Sequence, residues 1–256
     1  MEKPITHYYR VGESHSKTVV FLHGFMEDSS VWQLLAETLK DCCQVLCLDL
    51  LGHGKTPAIA PIHTMEQMAD ALHEVLVFEQ IEHCTLVGHS MGGYVALAFA
   101  ERYPKAVEGI VLMNSHPFPD SEEKKVNRDR VLKVIEKEKE LFVRTAVTNL
   151  FASENREKLK PALEKLIQIA LNTPNEGIKA ASMGMKSRPD RTEVFKHLKA
   201  KKLLVAGKAD ALIPYTILEE LATKAGAACE LLSGGHLSFV EDDFATKRIL
   251  REFVQK

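Results

Sequence analysis

Long hydrophobic runs are missing from this sequence, and so is any large excess of charge of one sign. No apolar stretch approaches the roughly 18 residues of a membrane-spanning helix. Residues 1–10 are polar and lack an apolar stretch of signal-peptide length. The 33 basic and 35 acidic residues give a formal net charge of -2, which argues against a nucleic acid or a membrane surface as partner. We therefore predict a soluble, cytoplasmic protein.

Cysteine is scarce, and recognisable metal or cofactor motifs are absent. The five cysteines are Cys42, Cys43, Cys47, Cys84 and Cys229. An odd number of cysteines, mostly within apolar runs, is typical of buried thiols in a reducing compartment. The spacing of the first three does not match a zinc site, and His73-Glu74 lacks the second histidine of H-E-x-x-H. No G-x-G-x-x-G follows an apolar run, so the sequence predicts neither a metal nor a cofactor.

Short apolar runs alternate with amphipathic segments along most of the chain. The runs, each ending at Gly, Asn or a Ser-Gly pair, cover residues 18–22, 44–50, 84–87, 109–113, 203–206 and 229–232. Continuous apolar runs of this length are typical of strands buried on both faces of a sheet. Helical patterns between them cover residues 31–39, 68–78, 91–102 and 214–224. Repeated strand–helix units predict an α/β fold, a mostly parallel twisted sheet with helices on both faces.

This alternation stops between residues 116 and 198. No strand run occurs there, and helical patterns cover residues 122–139, 141–151, 156–171 and 175–185. We interpret residues 116–198 as a helical cap inserted after about the sixth strand, and residues 1–115 with 199–256 as the core domain. The many Lys and Glu residues of the insertion fit solvated helix faces better than a binding patch.

A serine stands at a strand-to-helix turn in the segment Gly88-His89-Ser90-Met91-Gly92-Gly93. This is the context that the G-x-S-x-G motif requires. Glycines on both sides allow the strand and the helix to approach closely around a residue in an unfavourable backbone conformation. A phosphate-binding loop is excluded because no Lys-Ser or Lys-Thr follows the glycines. Ser90 is therefore the candidate nucleophile.

Four motifs in sequence order resemble the α/β-hydrolase superfamily, in particular its capped esterase, lactonase and C–C hydrolase branch. They are His23-Gly24-Phe25, then Asp49-Leu50-Leu51-Gly52-His53-Gly54, then the Ser90 motif, and finally Gly207-Lys208-Ala209-Asp210 with Pro214 and Gly235-His236. The likeness covers nearly the whole chain and is weakest across the helical insertion. It implies the α/β-hydrolase fold and catalysis by a Ser-His-Asp triad.

The other members of the expected triad follow late predicted strands. His236 lies in a loop after the last strand, preceded by two glycines, and the family order Ser…Asp…His favours it as the base. Asp210 lies just beyond the preceding strand and is the expected acid that orients the imidazole. Asp120 is the rival, because some relatives place the acid there, but the Gly-x-x-Asp-x-x-x-Pro pattern favours Asp210. The resemblance assigns the oxyanion-binding N–H groups to Phe25 and Met91.

Several other side chains near these motifs compete for a role. We expect His23 and His53 to brace turns and His89 to point away from the pocket. His116 and Phe118 follow a strand on the active edge and are candidates for substrate binding, whereas core packing is the expected role of Trp32.

These residues predict acyl transfer to water on a small-molecule substrate, with an acyl-enzyme intermediate and cleavage of a carboxylic ester. A serine nucleophile argues against the epoxide hydrolases and haloalkane dehalogenases of this fold, which use aspartate. C–C bond hydrolysis and acyl transfer to another nucleophile remain as alternatives on the same triad. A ligand receptor with slow turnover is the alternative from another class.

Overall fold

The sheet of the computed structural model, which describes residues 2–13 and 17–255, has seven strands. They are β1 Tyr8–Val11, β2 Thr18–Leu22, β3 Gln44–Leu48, β4 Cys84–His89, β5 Val107–Met113, β6 Lys201–Gly207 and β7 Ala228–Leu232. Their order is β1-β3-β2-β4-β5-β6-β7, and every neighbouring pair is parallel except β1 and β3. The predicted mostly parallel α/β architecture is confirmed.

Strand β1 is the strand that the sequence did not reveal. It lies at the sheet edge and pairs antiparallel with β3, with Tyr8 opposite Leu48. Its four residues are exposed or only partly buried. A strand with one hydrogen-bonded neighbour and an exposed flank needs no continuous apolar run, so the pattern that identified the inner strands is absent.

Helices cover both faces of the sheet. The α-helices are α1 Gln33–Leu39, α2 Met65–Phe78, α3 Met91–Arg102, α4 Glu122–Lys137, α5 Lys139–Leu150, α6 Lys160–Asn172, α7 Asn175–Ser187, α8 Thr192–His197, α9 Tyr215–Ala225, α10 Ser238–Glu241 and α11 Asp243–Gln255. Short 3-10 helices cover Ser29–Trp32, Pro104–Ala106 and Ser153–Asn155. Helix α3 has the predicted bounds, and α2 begins directly after Thr64, which forms a capping box with Gln67 in the first turn.

Strand β2 shows how the sheet separates two cores. Val20 and Leu22 lie in the core that contains α2 and α3, whereas Val19 and Phe21 lie in the core that contains α1 and α11. All five residues of β2 are buried. The alternation of side chains along a strand, with an apolar layer on each face, explains why the inner strands read as unbroken apolar runs.

All the regular secondary structure between β5 and β6 is helical. This segment carries α4 to α8, with α4 packed against α7 and α5 against α6. Helix α8 packs against α3 and α9 and so belongs to the layer that covers the sheet. The insertion follows the fifth strand, not the sixth as predicted, because only five strands precede it among the described residues. In the described ranges, no helix has the length and apolar character to cross a bilayer.

Candidate active site

Ser90 lies on a strained turn between β4 and α3. Its φ of 48° and ψ of -113° are unfavourable for a residue with a side chain. The turn is so tight that a Cβ on Gly92 would lie 2.1 Å from the carbonyl oxygen of Leu22. The N–H of Ser90 donates to the carbonyl oxygen of Met113 on β5 at 3.0 Å. Glycine and the neighbouring strand thus hold the serine in this conformation.

A chain of hydrogen bonds runs from Ser90 through His236 to Asp210. His236 Nε2 lies 2.9 Å from Ser90 Oγ, and His236 Nδ1 lies 2.9 Å from Asp210 Oδ2. Asp210 follows β6 and His236 follows β7, so both reach Ser90 from the carboxyl ends of neighbouring parallel strands. The structure brings together the three residues that the sequence singled out.

Asn114 completes this network and was not predicted. It follows β5 in a left-handed conformation, with φ at 46°, and its Nδ2 donates to Asp210 Oδ2 at 2.9 Å. Its Oδ1 accepts a hydrogen bond from Ser238 Oγ at 2.6 Å. The sequence signal was weak: Asn114 ends an apolar run at the same sheet edge, a position that asparagine also takes as a simple strand end.

The carboxylate of Asp210 is well supplied with hydrogen-bond donors. Burial alone would raise its pKa, but hydrogen bonds from His236, Asn114 and the N–H of Leu212 lower the pKa below the ordinary value. Asp210 is therefore ionised at neutral pH, and its Oδ2 accepts hydrogen bonds from His236 Nδ1 and Asn114 Nδ2. An anion in this position fixes the Nδ1–H tautomer of the imidazole and leaves Nε2 as the acceptor towards Ser90.

The rival carboxylate, Asp120, lies in a different network. Its Oδ2 accepts a hydrogen bond from Arg128 Nε at 3.0 Å, and its Oδ1 accepts one from Arg188 Nη1 at 2.7 Å. The side chain of Asp120 is fully buried, and His236 is not among its hydrogen-bond partners. Asp210 and not Asp120 is the carboxylate that contacts the imidazole.

A second buried acid–imidazole pair lies beneath the candidate nucleophile. The carboxylate of Glu27 accepts a hydrogen bond from the N–H of Gly24 at 2.8 Å and contacts His89 Nδ1 at 3.0 Å. His89 Nε2 lies 2.9 Å from the carbonyl oxygen of His236. The pair therefore connects the turn that carries Phe25 with the loop that carries His236.

We expected His89 to point away from the pocket. The residue is among those that line the cavity beside Ser90, because it is the last residue of β4 and shares that strand end with the serine. Its ring nevertheless is almost fully buried and is held by Glu27 and the backbone of His236. We assign it to positioning of the two loops.

The charges of this pair make the protein's stability depend on pH. Burial alone would raise the pKa of Glu27, but His89 and the Gly24 N–H lower it. Burial alone would lower the pKa of His89, but Glu27 raises it above the ordinary value. The stabilisation that comes from ionised Glu27 is present above pH ~4.3 and is lost as pH falls through the lowered pKa of Glu27. The stabilisation that comes from protonated His89 is present below pH ~6.5 and is lost as pH rises through the raised pKa of His89.

We expect Glu27→Gln to lower the free energy of unfolding by about 2 kcal/mol between roughly pH 4.5 and 6.5, because the variant keeps the buried imidazole without its anion. The difference from the wild type should shrink above the raised pKa of His89. Urea unfolding across this pH range measures it. Glu74→Gln, at an exposed position of α2, is the control and should change little. A pH-independent loss for Glu27→Gln would show that the charge pair is not the cause.

Two further histidines brace the loops at this edge, as expected. His23 Nδ1 lies 2.8 Å from the carbonyl oxygen of Gly24, and its Nε2 accepts a hydrogen bond from the N–H of Leu50 at 2.9 Å. His53 Nδ1 lies 3.1 Å from the carbonyl oxygen of Leu51. Burial lowers the pKa of His53 to about 3, so its ring is neutral in the folded protein. Trp32 is fully buried between Phe21 and Phe239, in the predicted core role.

The N–H groups that the resemblance assigns to the oxyanion belong to the start of a helix and to a turn. Met91 is the first residue of α3, where amide N–H groups have no intrahelical acceptor and the helix dipole favours negative charge. Phe25 lies in the turn closed by the hydrogen bond from Glu27 N to Gly24 O and lines the same cavity as Ser90. Met91 follows Ser90 directly in the chain, and Phe25 shares the cavity wall with Ser90.

A cavity of about 280 Å³ opens beside Ser90 and His236, between the sheet edge and the inserted helices. Its walls are mainly apolar and come from the first turn after β2, from α4, α5 and α7, and from the loop after β6. The residues that line it away from the triad include Phe25, Tyr94, Val131, Phe142, Ala146, Leu150, Met185, Leu212 and Ile213. Such a space accommodates a small, largely apolar group next to the hydroxyl.

His116 and Phe118 do not line this cavity, contrary to the prediction that they bind substrate. The ring of His116 lies between those of Tyr94 and Phe118, with centroids 5.5 and 5.2 Å away. Tyr94 lines the cavity in their place, since α3 carries it between His116 and the open space. Burial, together with the charges of Arg188 and Lys124, lowers the pKa of His116 to about 3.

Comparisons with known proteins agree with this geometry. The sequence model of the alpha/beta hydrolase fold family matches residues 17–243. An esterase from Thermogutta terrifontis, solved with malate bound, superposes with a TM-score of 0.93 at 31% identity, over 98% of this chain and 93% of that chain. An enol-lactonase from Burkholderia xenovorans LB400 shares the fold, with a TM-score of 0.90 at 24% identity, over 98% and 96% of the two chains.

A curated relative extends the comparison to another bond type. A protein from Yersinia enterocolitica that is named as a candidate carbamate hydrolase, RutD, is 27% identical over 93% of this chain and 87% of its own length. Hydrolysis is common to the three names, whereas the bond that is cleaved differs among them.

Proposed function

Since the chain belongs to the α/β-hydrolase fold family, we propose that it is a serine hydrolase that cleaves a carboxylic ester of a small molecule through an acyl-enzyme. Ser90 is the nucleophile, His236 the general base and acid, and Asp210 the carboxylate that orients the imidazole. The single observation that carries the proposal is the hydrogen-bonded chain of Ser90, His236 and Asp210, with 2.9 Å at each step.

Acylation begins when the ester carbonyl lies against Ser90. His236 Nε2 takes the hydroxyl proton as Oγ attacks the carbonyl carbon, and the ionised Asp210 stabilises the imidazolium. The oxyanion of the tetrahedral intermediate accepts hydrogen bonds from the N–H groups of Phe25 and Met91, each worth about 10²- to 10³-fold in rate. His236 then gives its proton to the departing alcohol, and the acyl group remains on Ser90.

Deacylation uses the same groups with water as the nucleophile. His236 Nε2 takes a proton from the water as its oxygen attacks the acyl carbonyl, and the N–H groups of Phe25 and Met91 again hold the oxyanion. The proton returns to Ser90 Oγ as the acid leaves. No metal or cofactor is required by this sequence of proton transfers.

Two further observations support an ester as the bond that is cleaved. The cavity beside Ser90 is mainly apolar, which suits the hydrocarbon part of an acyl group. A relative that covers nearly the whole chain at 31% identity is named an esterase.

Steady-state hydrolysis of p-nitrophenyl butyrate tests the proposal against a slow receptor. We expect a burst no larger than one equivalent followed by many turnovers for each protein molecule, because deacylation uses the same base as acylation. Parallel assays with a p-nitrophenyl N-alkylcarbamate of equal length compare the two bond types. One equivalent of product without further turnover would favour a ligand-binding protein, and faster turnover of the carbamate would overturn the assignment to esters.

A further inference from the structure

One side of the cavity is positively charged. Lys124, Asn127 and Arg128 all line it from α4, at positions three and four residues apart that share a helix face. The rest of the wall is mainly apolar, so these polar groups are concentrated on one side. The apolar side chains of the wall offer these groups no hydrogen-bond acceptor.

The nearby carboxylate binds two arginines. Asp120 contacts Arg128 with one oxygen and Arg188 with the other, and among the described residues it forms no ion pair with Lys124. Within the described part of the chain, Lys124 Nζ makes no hydrogen bond or ion pair, whereas the adjacent Lys125 pairs with Glu122. Positive charge beside the cavity therefore exceeds the negative charge available to neutralise it.

Two more observations concern the charges around Lys124. Burial lowers the pKa of Lys124, the charges of Arg188 and Arg128 lower it further, and Asp120 and Asp210 only partly oppose this. Arg188 lies over the ring of Tyr94, at 3.9 Å from the centroid, and its buried Nη2 has no hydrogen-bond partner. Arg188 does not line the cavity, so its charge adds to the positive potential at Lys124 without contacting a ligand there.

We propose that the substrate carries a free carboxylate in addition to the scissile ester, and that Lys124 binds it with help from Arg128 and Asn127. The proposal rests on the ester hydrolase function and adds the substrate class: half-esters of dicarboxylic acids, or esters of hydroxy acids. The apolar walls contact the hydrocarbon segment between the two ends. Lys124 is a binding residue here and takes no part in the proton transfers.

Two matched pairs of esters test this class and distinguish which side of the ester bears the charge. Monoethyl adipate is compared with ethyl hexanoate, and 4-acetoxybutanoate with butyl acetate; each pair exchanges a carboxylate for a methyl group. We expect kcat/KM for the charged member of at least one pair to exceed that for its neutral partner by about tenfold, which one charge-assisted contact supplies. A pH-stat assay measures all four esters.

Lys124→Met should remove that preference and bring kcat/KM for the charged and neutral members of each pair to within about twofold of each other, since methionine keeps most of the apolar stem but carries no charge. Lys125→Met is the matched control and should keep the preference, because Lys125 pairs with Glu122 outside the cavity. A wild-type preference for both neutral esters, or a preference that survives in Lys124→Met, would overturn the proposal.

A binding measurement separates this proposal from the proposed chemistry. Adipate should raise the melting temperature of Ser90→Ala by more than that of Ser90→Ala/Lys124→Met, with hexanoate as the singly charged comparison. Equal shifts in the two proteins would reject the carboxylate site even where no ester is hydrolysed. Absence of hydrolysis together with a Lys124-dependent shift would instead reject the hydrolase and keep the site.

Discussion

Replacing Ser90 by alanine is expected to abolish ester hydrolysis, with a loss in kcat of about 10⁴-fold or more. The reason is the absence of any other hydroxyl hydrogen-bonded to His236 Nε2 among the described residues. The same variant should no longer be labelled by a fluorophosphonate probe, which reacts with an activated serine. Gel fluorescence and the p-nitrophenyl butyrate assay measure the two losses independently.

Loss of folding must be separated from loss of the nucleophile in this experiment. Ser90→Ala keeps the turn, because the glycines around it and the hydrogen bond from residue 90 N to Met113 O involve only the backbone. Its melting temperature should therefore stay close to that of the wild type. Ser182→Ala is the labelling control: this buried hydroxyl has no partner and does not line the cavity. Labelling that persists in Ser90→Ala would remove Ser90 from its role.

Replacing Asp210 by asparagine is expected to lower kcat by roughly 10⁴-fold while the protein remains folded. The amide can still accept the N–H groups of Leu212 and Ile213 through one oxygen. Its NH₂ group would then face Asn114 Nδ2 and His236 Nδ1, where Asp210 Oδ2 now accepts. His236 would have to accept at Nδ1 and carry its proton on Nε2, which cannot then take the proton of Ser90.

Asp120→Asn provides the matched comparison, because it makes the same substitution at the rival carboxylate. We expect it to lower the free energy of unfolding by about 3 kcal/mol, since Arg128 and Arg188 lose their shared buried anion. Its kcat on the neutral ester ethyl hexanoate should fall by less than about tenfold, because Asp120 does not contact His236. A larger loss of activity in Asp120→Asn than in Asp210→Asn would move the acid to Asp120.

Local sequence was sufficient to predict the ends of helices that are set by capping residues, turn motifs or proline. The bounds of α3 follow from the Ser90 motif at one end and Pro104 beyond the other, and the capping box places the start of α2. The edge strand β1 escaped prediction because exposed residues form it, and its pairing with β3 joins segments more than thirty residues apart.

The residues around the triad were harder to predict than the triad itself. Asn114 and Glu27 act on groups far along the chain, Asp210 and His89 respectively, and asparagine or glutamate in a loop has no distinctive local pattern. His116 and Phe118 follow the correct strand, yet Tyr94 on α3 lies between His116 and the cavity. Whether a side chain lines a pocket depends on which other side chains pack between it and the open space.

The order of motifs along the chain determined the fold class and the candidates for nucleophile, base and acid, because short-range backbone requirements restrict which residues can stand at a strand-to-helix turn or after a strand. Tertiary structure alone decided that Asp210 rather than Asp120 meets His236, and that Lys124 stands at the cavity without an anion. Charges and hydrogen bonds depend on distances of a few ångströms between residues remote in sequence, and only the packed sheet edge and the inserted helices set those distances.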